Sequence, residues 1–249
     1  MPAAFTTHST LDAPPHLDGK RWTRRSVLTL LLALAALLAG LAWLWPAGRQ
    51  GPGSLDDVRL VGARGPSCLR LVIADDVSGS MSQFSAARQQ ALAEFLRWAP
   101  NNLRPDDELG VLNFAAEAKW DRQPAEIGVN RRSSGVTAID GQNTLLTPVL
   151  SLVSALPSSP CDTELLLLSD AQLSDLPVDA TAGRGALLDR NVHGIALLVP
   201  GSAIQVPSQW TQAFPEAEPR VFDGLNGQDT GLTFAAAIAQ VTGQRLDQK

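Results

Sequence analysis

The sequence has no G-x-x-x-x-G-K-[ST] phosphate loop and no G-x-S-x-G nucleophile elbow, so the chemistry built on those two motifs is excluded. Histidine is scarce: of three, His8 and His16 fall in the N-terminal tail, and only His193 belongs to the globular part. With two cysteines besides, zinc and copper lack their usual sulfur and imidazole ligands. A basic surface is missing too. Residues 1–48 carry a net charge of +2 and residues 49–249 one of −7, which argues against nucleic acid as a partner, because phosphate neutralisation needs a basic face. No internal repeat is visible. What remains is a chain of 249 residues, 45% apolar, long enough for one sizeable globular domain with accessory segments.

Residues 1–19 show no apolar period and read as a disordered cytoplasmic tail. Within residues 20–46, the stretch from Ser26 to Trp45 carries no charge and has the length to cross a hydrocarbon core of about 30 Å as a helix. Lys20, Arg21, Arg24 and Arg25 precede it, so the positive-inside rule puts the N-terminus in the cytoplasm and the domain outside. Trp22, Trp43 and Trp45 sit where interfacial aromatics belong. An uncleaved single-pass signal-anchor is the expected reading, with a cleaved signal peptide as the competitor; the apolar stretch is long for a signal and no small-x-small site follows it. Residues 47–65 read as a Gly/Pro linker, and residues 66–249 as the domain.

From there the pattern alternates. Apolar runs at 68–75, 108–115, 164–170 and 192–200, with a short "RVF" at 220–222, read as strands. Residues 83–98, 144–156, 179–189 and about 231–245 read as helices, while 116–143 and 201–219 are too irregular to assign. The expected fold is α/β, a Rossmann-like doubly wound, mostly parallel sheet with helices on both faces, preceded by one transmembrane helix. Such sheets bind ligands at the carboxyl ends of their strands.

The first strand ends there in "IADDVSGSM", residues 73–81. Asp76, Ser78 and Ser80 form D-x-S-x-S, a spacing that can fold three oxygen side chains around one point, with Gly79 allowing a tight turn. Two further loops should open alongside, one ending in Thr144 and one in Asp170. Two carboxylates and three hydroxyls suit a hard cation, Mg²⁺ first and Mn²⁺ or Ca²⁺ next. Asp75 is expected to pair with a cation and not to bind metal, since adjacent strand residues face opposite sides. His193 belongs at the amino end of its strand, away from the crevice.

Strand, D-x-S-x-S-Met, amphipathic helix, "RPDDELGVLNF", a Thr loop and an apolar strand ending in Asp together resemble the von Willebrand factor A-type (vWA) domain with its metal-ion-dependent adhesion site, over about residues 66–249. The resemblance implies direct coordination by Ser78 and Ser80. It gives Asp76, Thr144 and Asp170 direct or water-mediated contacts, and leaves one position open for an acidic side chain of a partner protein. Ser169-Asp170-Ala171 departs from the family's usual Thr-Asp-Gly, and Gly-Gln-Asn before Thr144 departs from its paired glycines. In the family fold the strands behind Cys68 and Cys161 are neighbours, so the resemblance also implies a disulfide between them, suited to an extracytoplasmic domain.

Three functions follow. The leading one is a membrane-anchored module for metal-dependent protein binding at the cell envelope. The second is a cytoplasmic-side adaptor for a ring ATPase, against the charge bias of the anchor. The third is a Mg²⁺-dependent phosphohydrolase with Asp76 as nucleophile; no acid/base group accompanies Asp76, so no enzyme is expected.

Overall fold

The computed structural model describes residues 53–127, 129 and 139–249. The expected tail and the apolar run 26–45 lie outside the described residues; among those described, no helix is long and apolar enough to cross a membrane.

In chain order the strands are β1 (Val58–Val61), β2 (Leu69–Asp76), β3 (Glu108–Phe114), β4 (Ala118–Glu126), β5 (Asp162–Leu168), β6 (Gly194–Val199), β7 (Arg220–Val221) and β8 (Arg245–Gln248). The α-helices are α1 (Ser85–Trp98), α2 (Thr147–Ser154), α3 (Ala180–Leu188), α4 (Ser208–Ala213) and α5 (Gly227–Val241). Six strands form one sheet in the order β4-β3-β2-β5-β6-β7, all parallel except the antiparallel edge strand β4.

The central strand shows why the sequence folds this way. Along β2, Leu71 and Ile73 enter one core while Val72 and Ala74 enter the other, so a continuous apolar run is what a strand covered on both faces requires. Phe95 and Trp98 of α1 and Phe234 and Ile238 of α5 fill the first core. Val149, Leu150 and Val153 of α2, with Leu187 of α3 and Trp210 of α4, fill the second. The doubly wound α/β architecture is thus present, with β2 and β5 side by side at its centre.

Among the described residues, the two irregular stretches contain β4 and α4. β4 carries Lys119, Asp121, Arg122 and Pro124 and has the composition of an edge strand, not of a buried one. Pro124 is accommodated because Gly110 of β3 has no side chain: a Cβ there would lie 2.7 Å from the proline ring.

Two boundaries differ from expectation. The stretch read as linker, 47–65, contains a 3-10 turn at Leu55–Asp57 and the strand β1, held because Leu55 and Val58 are buried and Trp98 Nε1 donates to the Val58 carbonyl at 3.0 Å. The last helix begins at Gly227, capped by the Asn226 side chain, and ends at Val241; the chain then forms β8, which pairs antiparallel with β1.

Candidate metal centre

Three loops meet beyond the carboxyl ends of β2 and β5. The first leaves β2 at Asp76, which is fully buried. One Asp76 oxygen accepts from the Ser78 backbone N–H at 2.9 Å and the other from the Ser169 hydroxyl at 2.6 Å. These two bonds fix the plane of the carboxylate. Ser78 Oγ and Ser80 Oγ stand 3.2 Å apart, the first buried and the second facing solvent.

The second loop is drawn against the first by Gly79 N–H, which donates to the Gly141 carbonyl at 3.3 Å. A Cβ at Gly141 would approach Gly79 N to 3.3 Å, so a side chain there would push the loops apart. Thr144 is buried on this loop, and its carbonyl accepts from Ser174 N–H of the third loop at 3.0 Å. Asp175 caps the start of α2, accepting from the N–H groups of Leu146 at 2.6 Å and Thr147 at 2.7 Å. The third loop supplies Asp170, whose carboxylate accepts from Gln172 N–H at 3.0 Å.

The electrostatics are those of an acidic site short of positive charge. Burial pushes the Asp76 carboxyl above its usual range, the bonds from Ser169 and Ser78 pull it back, and the neighbouring Asp170 raises it further. Among the described residues no Lys or Arg forms an ion pair with Asp76 or Asp170. Nor does any group of three or more His, Cys, Asp or Glu gather as a metal cluster, so a cation here would depend on hydroxyl ligands. The donor set of two carboxylates and three hydroxyls fits a hard divalent ion and not a soft one.

Asp75 faces the other way, into the layer beneath α1. Arg88 of α1 reaches it at 2.8 Å and also donates to the Asp76 main-chain carbonyl. Arg88 and Ser169 are the two side chains contacting the candidate site that sequence reasoning missed. Ser169 lies inside the loop already singled out, and its hydroxyl was the available signal; Arg88 falls outside the apolar face of α1, and nothing in the sequence signals its burial. His193 sits at the far end of the sheet, its Nδ1 accepting from Thr163 N–H at 3.2 Å. Cys68 and Cys161 are joined in a disulfide, Cα–Cα 4.5 Å, at the amino ends of β2 and β5.

This arrangement, a parallel sheet with one antiparallel edge and helices on both faces, is matched by solved structures. The von Willebrand factor type A protein from Catenulispora acidiphila superimposes with a TM-score of 0.52 at 16% identity, covering 78% of this chain and 52% of that one. The fold is that of a vWA domain. Proximal thread matrix protein 1 from the mussel byssus shares the vWA fold with a TM-score of 0.52 at 15% identity, over 76% of this chain and 50% of that one. A further structure of the byssus protein, with a zinc-occupied MIDAS motif, gives 0.51 at 10% identity, over 71% and 48%. This chain spans about half the length of these three. No family model matches the sequence, and no curated protein matches it.

Proposed function

We propose that this chain is a membrane-anchored vWA module that binds partner proteins at the cell envelope through a divalent cation, Mg²⁺ first. Asp76, Ser78, Ser80, Thr144 and Asp170 would hold the ion, and an acidic side chain of the partner would complete its coordination. The observation that carries the reading is the buried, doubly hydrogen-bonded Asp76 carboxylate beside Asp170, with no Lys or Arg among the described residues paired with either. A divalent ion would supply that charge. Only two of the five ligands would be anionic, so the ion would stay under-neutralised and attract a third carboxylate.

The envelope side is supported by the basic residues ahead of the apolar run 26–45 and by the Cys68–Cys161 bond, which persists in oxidising compartments. A reporter fused at the C-terminus, active on one side of the membrane only, separates this topology from a cytoplasmic adaptor.

The metal is tested by thermal unfolding of the metal-stripped chain with Mg²⁺, Mn²⁺ or Ca²⁺ returned, beside Asp76→Ala. A ligand that binds the folded state alone at a hundred times its Kd stabilises by about 2.7 kcal/mol, so the wild type should gain several degrees and the variant none. Equal gains in both would place the cation elsewhere. No gain with any cation, even with an acidic partner peptide present, would end the metal reading.

A further inference from the structure

A groove of about 790 Å³ opens at the end of the sheet opposite the metal centre, between α3, the segment after α4 and the start of β6. Leu187, Val192, Ile195 and Phe214 give it apolar walls. Glu164 of β5 lines it as well, and among the described residues nothing donates a hydrogen bond to its carboxylate or forms an ion pair with it.

The space that the carboxylate occupies exists because residue 194 is glycine: a Cβ there would lie 2.2 Å from Glu164 Oε2. A half-buried acid with no protein donor costs some stability unless something else uses it. Burial, followed by the nearby Asp162, raises it to about 7.

The other charges around the groove are already engaged. Arg184 of α3 and Glu216 of the opposite wall pair at 2.7 Å, both largely exposed. His193 accepts from Thr163 N–H through Nδ1 and places Nε2 3.7 Å from Asp162. Glu164 is left as the one acid of the groove without a counter-charge. An anion would be repelled, and a metal ion would find a single ligand. The Arg184–Glu216 pair joins the two walls on the solvent side, which favours a compact ligand over an extended chain laid through the groove.

We propose that this groove binds a small organic cation, an ammonium or guanidinium group on a hydrocarbon body, with Glu164 as its counter-ion. The apolar walls take the body, and the carboxylate accepts a charge-assisted hydrogen bond from the head. The site is independent of the metal centre.

The test is calorimetric titration of the full chain in lipid nanodiscs at pH 8 with phenethylammonium, beside 2-phenylethanol and 3-phenylpropionate. Saturable binding of the ammonium is expected, at least tenfold weaker binding of the alcohol, and none of the carboxylate. Glu164→Gln should weaken the ammonium at least tenfold. Gly185→Leu should block it, because Gly185 lines the groove with nothing within 4 Å of a Cβ and leucine suits a helix. Thermal midpoints confirm that both variants fold.

Between pH 8 and pH 6 the wild-type affinity should fall as Glu164 takes up its proton. Asp162, His193, Arg184 and Glu216 also stand around the groove, so the fall must vanish in Glu164→Gln; a fall that persists there overturns the role of Glu164. Equal affinity for the alcohol, or unaltered binding by Glu164→Gln, also overturns the proposal. So does binding of a lysine-bearing peptide when phenethylammonium does not bind.

Discussion

At the scale of single residues, Ala171 and Glu164 are held in conformations or surroundings that their chemistry resists. Ala171, where the family resemblance leads one to expect glycine, has φ of 59° and is buried. Left-handed backbone costs an L-residue about 1 kcal/mol, and the buried methyl returns about 0.8 kcal/mol. Ala171→Gly should therefore change stability by less than about 1 kcal/mol, whereas Ala171→Val, β-branched at positive φ, should cost more than about 2 kcal/mol and disorder the Asp170 loop. Denaturant unfolding of the two variants checks both values.

Glu164 has the opposite problem, a charge held in poor surroundings. Its raised folded value, about 7 against a usual 4.5, means that the fold disfavours the ionised form. Stability is therefore complete below pH 4.5, falls as pH rises towards 7, and is flat above. Glu164→Gln should be more stable than wild type at pH 8, by about 1–2 kcal/mol after allowance for partial exposure, and no more stable at pH 4.5. Paired melting curves at the two pH values measure this.

At the scale of elements, the register of the sheet depends on a buried acid at its amino end. Asp107, just before β3, accepts from Leu69 N–H at 2.8 Å, from Arg104 N–H at 2.7 Å, and from the two terminal Nη atoms of Arg64 at 2.5 and 2.7 Å. Asp107→Ala would leave Arg64 buried without its partner and the start of β2 without an acceptor. The expected loss is about 3–5 kcal/mol by denaturant unfolding.

The elements that sequence made legible are those whose burial is uniform. β2, β5 and β6 read as strands because both faces are covered, and α1 read as a helix because Ala87, Ala91, Phe95 and Trp98 recur on one side. β4 escaped because an edge strand needs little apolar surface and its proline argued against one. β1 and β8 escaped because their partners are far apart in sequence, Val58 opposite Gln248, and each is only four residues long. The five oxygen residues were singled out by their order along the chain, and the proposal that they hold a metal rests on that order. Arg88 was not, because a buried arginine is recognisable only once Asp75 is seen to face it.

At the scale of the whole molecule, one covalent bond spans the sheet's two central strands. The disulfide encloses 93 residues of sequence separation. In the chain-entropy account a closed loop near that length stabilises by about 4–5 kcal/mol, so the paired Cys68→Ser and Cys161→Ser variant should lose close to that amount relative to the oxidised protein. Unfolding with and without reductant gives the same comparison in the wild type.

The bond also shapes how the molecule would bear a load. Tension drawn across Gly53 and Lys249 first unzips β1 from β8, whose outer residues Val58 and Gln248 are opposite one another. Extension then reaches Cys68 and Cys161 and stops short of the ring they close, withholding about 320 Å of contour length. Asp76, Ser78, Ser80 and Thr144 lie inside that ring; Asp170 lies nine residues beyond it. A pull along the backbone would therefore dismantle the Asp170 loop while the segment carrying the other four oxygen residues stayed covalently closed.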